Sequence, residues 1–352
     1  MDTMKAIVAH GVGDFRCEEV PRPHAGPGEV VIKVTAAGIC AAERKIYHGS
    51  GPWKPRFPLI PGHEFIGVVE ELGDGAGEKH GLQLGDKAVA EMIIPCWQCA
   101  YCRRGWYHLC TNFKTLGGSL PGGWAQYMKF PANATVFKVP DAVDEVEGVM
   151  IEPLACATYA VERAAISLGD TVVVSGLGPI GMSMFQVAKL KTPRRLIALD
   201  VNDSMLSIAR ELGADYVFNP GRHDVEAAVK DITAGLGCDV YLEASGYSGS
   251  VETGVQLLRK RGKLLLYGVY AGRPDFDFSI ISEFKELEIV GGHLSPNSYP
   301  LAIRYLAEGL VNARVMVTHR FPLREVREAM EVKADPLAGK PAVKISFVPA
   351  LD

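Results

Sequence analysis

The stretch from Asp170 to Asp200 limits what this chain can fold into more than any other. Thr171 to Ser175 (TVVVS) is β-branched and apolar, the pattern of a buried strand. Gly176, Gly178 and Gly181 follow at the spacing G-x-G-x-x-G, and Ile180 to Lys191 continues as a helix. The first glycine permits a tight turn, the second lets the backbone approach a pyrophosphate, and the third lets helix pack on strand. Free N–H groups and the helix dipole favour an anion there. A second strand, Arg195 to Leu199, ends in Asp200, at the distance where an acid meets the adenosine ribose. A glycine-rich connection alone would explain the glycines but not Asp200. The expected dinucleotide contacts are Gly176, Gly178, Pro179, Ile180, Gly181 and Asp200. Asp200 should repel a 2′-phosphate, and no Arg or Lys follows it through Met205, so NAD is expected over NADP.

Around this unit, strands alternate with helices from about Thr158 to Leu294. Strands are expected at Thr171–Ser175, Arg195–Asp200, Tyr216–Phe218, Asp239–Glu243, Lys263–Tyr267 and Leu287–Gly291. Helices are expected at Asp203–Leu212, Val225–Thr233 and Ser250–Leu258. That alternation predicts a doubly wound parallel sheet. Residues Met4 to about Leu154 read instead as short β-branched runs between Gly and Pro clusters. After Pro296 come two helical segments, Pro300–Glu308 and Leu323–Glu331. The apolar run Ala342–Val348 needs a sheet, and we expect it to rejoin the first, β-rich part.

With 352 residues the chain can hold two domains and a large core. A net charge of −4 makes nucleic acid and anionic membranes poor partners. No charged n-region precedes a long apolar run, so no secretory signal is expected. The uncharged stretch Thr171–Ala188 is broken by glycines and a proline, which suits strand–turn–helix better than a membrane span. A cytoplasmic location follows as the expectation.

In a reducing compartment clustered cysteines more often bind metal than form disulfides. Cys96, Cys99, Cys102 and Cys110 offer four thiolates in one short loop, a tetrahedral zinc pattern. Four protein ligands leave no position for substrate, so such a zinc is structural. A zinc ribbon touching nucleic acid is the alternative, with only Arg103 and Arg104 beside the cluster to support it.

Several further marks go together: GIC ending at Cys40, PGHEF from Pro61, the four-cysteine loop, EPLA from Glu152, GLGPIG, Asp200, and VTHRFPL from Val317. With these the chain resembles the zinc-dependent medium-chain alcohol and polyol dehydrogenases almost end to end. The resemblance implies an α/β fold: a GroES-like zinc-binding catalytic domain (1–156), a Rossmann NAD-binding domain (157–294), and a return to the catalytic domain (295–352). It also implies a homotetramer and a second, catalytic zinc held by Cys40, His63 and a carboxylate. Spacing alone does not join Cys40 to Glu152. A thiolate, an imidazole and a carboxylate balance the ion and leave a position for substrate oxygen. Either Glu64 or Glu152 can be that carboxylate, the other standing behind it. Taken singly, His63 suits a hydrogen-bonded structural role and Glu152 a helix start beside Pro153.

The sequence departs from the family after the metal cysteine, reading Cys40-Ala41-Ala42-Glu43. Ala42 replaces a hydroxyl that often begins the proton relay, and Lys45 stands where a relay histidine is common. His48 lies outside that register. The proton is then expected to leave through Glu152, with Lys45 a relay candidate or a surface or ribose-contacting residue. CWQCAYCRRG from Cys96, AVERA from Ala160 and SIISEFKELEIVGGHLSP from Ser279 resemble polyol dehydrogenases of the erythritol/L-threitol type. That implies oxidation of a secondary hydroxyl of a short polyol to a ketose. A threonine-type or simple alcohol dehydrogenase is the rival, and a non-catalytic dinucleotide-binding protein a remoter one. Lys45, Tyr47, Glu152 and His293 make the candidate polar wall, and Tyr47–Pro58, with Trp53, the candidate pocket edge.

Overall fold

The computed structural model describes residues 2–270, 272–332 and 342–352. Its centre is a six-stranded parallel sheet. The strand order is Tyr216–Phe218, Arg195–Leu199, Thr171–Ser175, Cys238–Glu243, Leu258–Leu266, Glu288–Gly291. The order reverses between Thr171–Ser175 and Cys238–Glu243, and ligands bind at such a switch point. Thr171–Ser175 is buried throughout, as its Val run requires of a central strand. Helices flank the sheet: Pro179–Leu190, Asp203–Glu211, Val225–Ile232 and Ser248–Leu257. Local chemistry sets their starts. Pro179 stands in the first turn of its helix. Asn202 accepts from Ser204 N–H and Asp224 from Ala227 N–H.

A second, seven-stranded sheet carries the N-terminal part. Val30–Ile39 lies within it, antiparallel to both Phe65–Leu72 and Lys344–Phe347. The C-terminal strand therefore sits in the N-terminal sheet, with Ile345 opposite Ile39. Helix Ile151–Ala164 joins the two sheets. Leu154, Ala157 and Val161 share one apolar core with Ile66 and Val89 on one side and Val172 and Val174 on the other. Among the described residues, no helix is long and apolar enough to cross a membrane.

Three elements differ from expectation. The fifth strand begins earlier, at Leu258, because Leu258 pairs with Cys238 before a register break, and Lys285 Nζ donates to the Leu258 carbonyl. The helix before it accordingly ends at Leu257. The segment Leu323–Glu331 is a 3₁₀ turn, Leu323–Glu325, and then a helix, Val326–Glu331. The Asp352 carboxylate accepts from the N–H groups of Leu323 and Arg324, tying that turn to the chain's end.

Candidate active site

Three strands assemble the first cluster. Cys40 follows Val30–Ile39 and caps the helix Ala41–Tyr47. Phe65 lies opposite Ala37, which brings His63 and Glu64 beside Cys40. A ligand atom from each of Cys40, His63 and Glu64 lies within 4.8 Å of the others. Glu64 packs so closely on Gly38 that a Cβ there would stand 2.2 Å from its Oε2. A side chain there would have to displace the Glu64 carboxylate.

Two residues that sequence reasoning did not assign complete the cluster. Glu43 Oε1 lies 2.6 Å from His63 Nδ1, while its Oε2 accepts from the Cys40 backbone N–H at 2.7 Å. With Nδ1 held against the Glu43 carboxylate as a close ion pair, Nε2 is the nitrogen left for a metal. Burial would lower the His63 pKa, but Glu43 and Cys40 reverse this and hold it well above its usual value. On the strand's other side, Lys344 Nζ donates to both Glu64 oxygens, at 2.6 and 2.5 Å, with both side chains 2% exposed. Burial alone would lower the ammonium pKa; Glu64 and Cys40 raise it.

Glu152 is placed differently from Glu64. It lies in the first turn of Ile151–Ala164, buried, near enough to His63 and Glu64 for their charges to act on it. It falls outside the group formed by Cys40, His63 and Glu64. The Cys156 thiol donates to it at 3.3 Å. Desolvation pushes its pKa upward.

A cavity of about 380 Å³ opens on this cluster. Ala42, Glu43 and His63 line its floor, Trp53, Lys54 and Pro55 one edge, and Thr115, Ser119 and His293 further walls. Trp53 and His293, expected at the pocket, both line this cavity. Lys45 does not: its Nζ reaches the Val269 carbonyl at 3.4 Å, across toward the parallel sheet. Tyr47 is buried in the core, edge-on to Phe15. Both are excluded from the expected polar wall, and Glu152 is not among the lining residues either. The cause is helical phase. Ala42, Glu43 and Ile46 face the cavity, so Lys45 and Tyr47 point elsewhere.

A second cavity, about 700 Å³, is lined by Ala41 of this same helix. Gly176, Gly178, Pro179, Ile180 and Asp200 line it as well. Gly176 has φ +84°, and its Cβ would meet Ser245 Cα at 2.5 Å. A Cβ on Gly181 would overlap the Gly176 carbonyl. Beside Gly178 there is room for a ligand, as no protein atom lies within 4 Å of its Cβ position. Asp200 accepts from Leu177 N–H at 2.6 Å and Asn202 N–H at 2.7 Å. The site has room for a dinucleotide, with Asp200 among its lining residues.

The four cysteines form a separate lobe. The Sγ atoms of Cys96, Cys99, Cys102 and Cys110 lie within 4.8 Å of one another. Backbone N–H groups of Cys96, Cys99 and Asn112 point at these sulfurs. Backbone hydrogen bonds hold the Cys99 thiol down to about 5, while desolvation pushes Cys102 up to about 12. Four converging thiols with N–H support fit one tetrahedral zinc.

Comparison with known proteins agrees with this architecture. Residues 26–141 match the alcohol dehydrogenase GroES-like domain and residues 179–308 the zinc-binding dehydrogenase domain. The chain belongs to the zinc-dependent medium-chain alcohol and polyol dehydrogenases, oxidoreductases that use a nicotinamide dinucleotide. It is 43% identical to an erythritol/L-threitol dehydrogenase of Mycolicibacterium smegmatis, over 99% of this chain and 98% of that one. It is 37% identical to an L-threonine 3-dehydrogenase of Pyrococcus abyssi, over 96% of each. A zinc-binding dehydrogenase from Sinorhizobium meliloti, bound to NADP, superposes with a TM-score of 0.91 at 29% identity, covering 99% of this chain and all of that one.

Proposed function

We propose that this protein oxidises a secondary hydroxyl of a short linear polyol, of the erythritol/L-threitol type, to a ketose, with NAD as acceptor. The observation that carries the reading is the cavity lined by His63, beside Cys40 and Glu64, with Lys54, Thr115, Ser119 and His293 as polar lining residues for further hydroxyls. The similarity to the Mycolicibacterium enzyme supports the same substrate class. We assign 1–156 with 295–352 to the zinc-binding half and 157–294 to the nucleotide half.

In this reading Cys40, His63 and Glu64 hold the catalytic zinc, and the four cysteines hold a structural one. Bound there, zinc supplies a Lewis acid for the hydroxyl oxygen, and the nicotinamide supplies the hydride acceptor. The chain does the rest. Glu43 fixes the His63 ring, and Lys344 holds Glu64 and limits its negative charge. Ala42 offers no hydroxyl for a proton relay, so we assign the departing proton to the Glu152 carboxylate. Burial raises that carboxylate's pKa, which strengthens it as a base. Asp200 holds the adenosine ribose and disfavours a 2′-phosphate.

The test is NAD reduction across a panel of tetritols, L-threonine and simple alcohols. Erythritol or L-threitol should exceed 2-butanol, because polar groups of the pocket go unpaired against an apolar chain, at about 1–3 kcal/mol each. If 2-butanol matches the tetritols in kcat/KM, or the product is an aldehyde, the polyol assignment is wrong. A preference for L-threonine selects the threonine-type alternative.

A further inference from the structure

One buried side chain ties the four-cysteine lobe to residues beside the cavity. Tyr107 lies between Cys102 and Cys110, 5% exposed, and packs with Ile93 and Leu294. Its hydroxyl donates to Glu91 Oε1 at 2.8 Å and accepts from the Asn297 backbone N–H at 2.8 Å. Each of these two partners is close in the chain to lining residues of the cavity. Glu91 precedes the lining residue Met92, and Asn297 closes the loop that carries the lining residues His293 and Leu294. That loop is held out of an ordinary conformation, with φ +54° at Leu294 and +59° at Asn297. Such a backbone persists only where its surroundings fix it. Tyr267 Oη bonds the Leu294 carbonyl at 2.8 Å, and Tyr107 bonds the loop's far end.

We propose that Tyr107 is a positioning residue through which the cysteine lobe sets the width of the substrate cavity. The lobe then has a part in substrate fit in addition to local stability. The inference rests on reading that cavity as the substrate site.

The experiment uses the zinc-loaded full-length protein and Tyr107→Phe, which keeps the ring and removes the hydroxyl. Hydrogen–deuterium exchange in residues 292–298 should quicken by about tenfold, with the strands of the parallel sheet unchanged. KM for erythritol should rise about tenfold while kcat and the KM for NAD stay within about twofold. Glu91→Gln keeps an acceptor for the phenol and should leave KM unmoved. Glu91→Leu removes the acceptor and takes the place of Tyr107→Phe should the latter not fold. Unchanged exchange in 292–298, or a fall in kcat or folded fraction with KM unmoved, overturns the proposal. If the wild type turns over no polyol, the substrate assignment falls. The exchange arm and the KM for whichever alcohol it does oxidise then decide Tyr107 separately.

Discussion

The two candidate metal sites are built in opposite ways. The cysteine lobe comes from one stretch, Cys96 to Cys110, whose sulfurs are met by N–H groups of that same stretch and Asn112. The cavity cluster comes from three strands of a sheet. Lys344 stands 280 residues beyond the glutamate it holds. The lobe concentrates thiols and needs an external cation to balance them. The cavity cluster already carries a cation, Lys344, against its carboxylates. A site that must keep a metal saturates it with thiolates; a site that must turn over substrate keeps its charge adjustable and one side open.

The largest expected effect lies in the lobe. Cys99→Ser should lose one zinc per chain and lower stability by more than about 5 kcal/mol, since a structural zinc contributes folding energy directly. Metal content and denaturant unfolding check this. If the variant is as stable as wild type, the two sites are not the opposites described. Cys40→Ser should instead lower kcat about a thousandfold, about 4 kcal/mol, with the fold and the lobe's zinc retained. Parallel loss of the fold would make both sites structural.

Lys344→Met sharpens the comparison by leaving Glu64 buried and unpaired. The metal-free variant should lose about 3–5 kcal/mol of stability. Added zinc should recover more of it than in wild type, because a second cation can then satisfy Glu64. A variant that zinc does not rescue would place Glu64 outside the metal's reach.

Glu91 joins the two regions, and its effect is tied to pH. Desolvation outweighs the Tyr107 hydrogen bond and pushes its carboxyl up to about 7. Its folded pKa exceeds the unfolded one, so the stability it contributes is present below about pH 4.5 and is lost as pH rises through about 7. Glu91→Gln should flatten that fall and be the more stable protein at pH 8, by up to about 3 kcal/mol. Urea midpoints from pH 5 to 8 measure it. Parallel curves for the two proteins would show that Glu91 titrates normally. The smallest effect belongs to the nucleotide site. Asp200→Ala should narrow the preference for NAD over NADP by about tenfold, in kcat/KM with each cofactor. An unchanged ratio would remove Asp200 from cofactor choice.

What could be read in the sequence follows the same division. The lobe and the glycine loop are local, so spacing alone carried their chemistry. Cys40, His63 and Glu64 needed a family resemblance, because antiparallel pairing brings them together. Lys344 was beyond reach, since nothing in a lone lysine marks it as buried against a carboxylate across a strand. Glu43 does carry a local signal: a glutamate three residues after a helix N-cap reaches back to the cap's N–H. Reading it requires the cap itself, and Cys40 is not among the residue types that usually announce one. Tyr47 was misplaced for the same reason, since its phase depends on the helix start at Ala41, while Lys45 leaves the cavity wall for the side its surface or ribose-contacting alternative named.

The central claim is that two zinc ions do different work, and graded chelation of the purified protein tests it most directly. Zinc content, NAD-linked activity and circular dichroism are followed together. The account predicts that the first ion to leave takes the activity with it and spares the fold, and that the fold goes only with the second. A single zinc per chain, or activity and fold lost with the same ion, would contradict it.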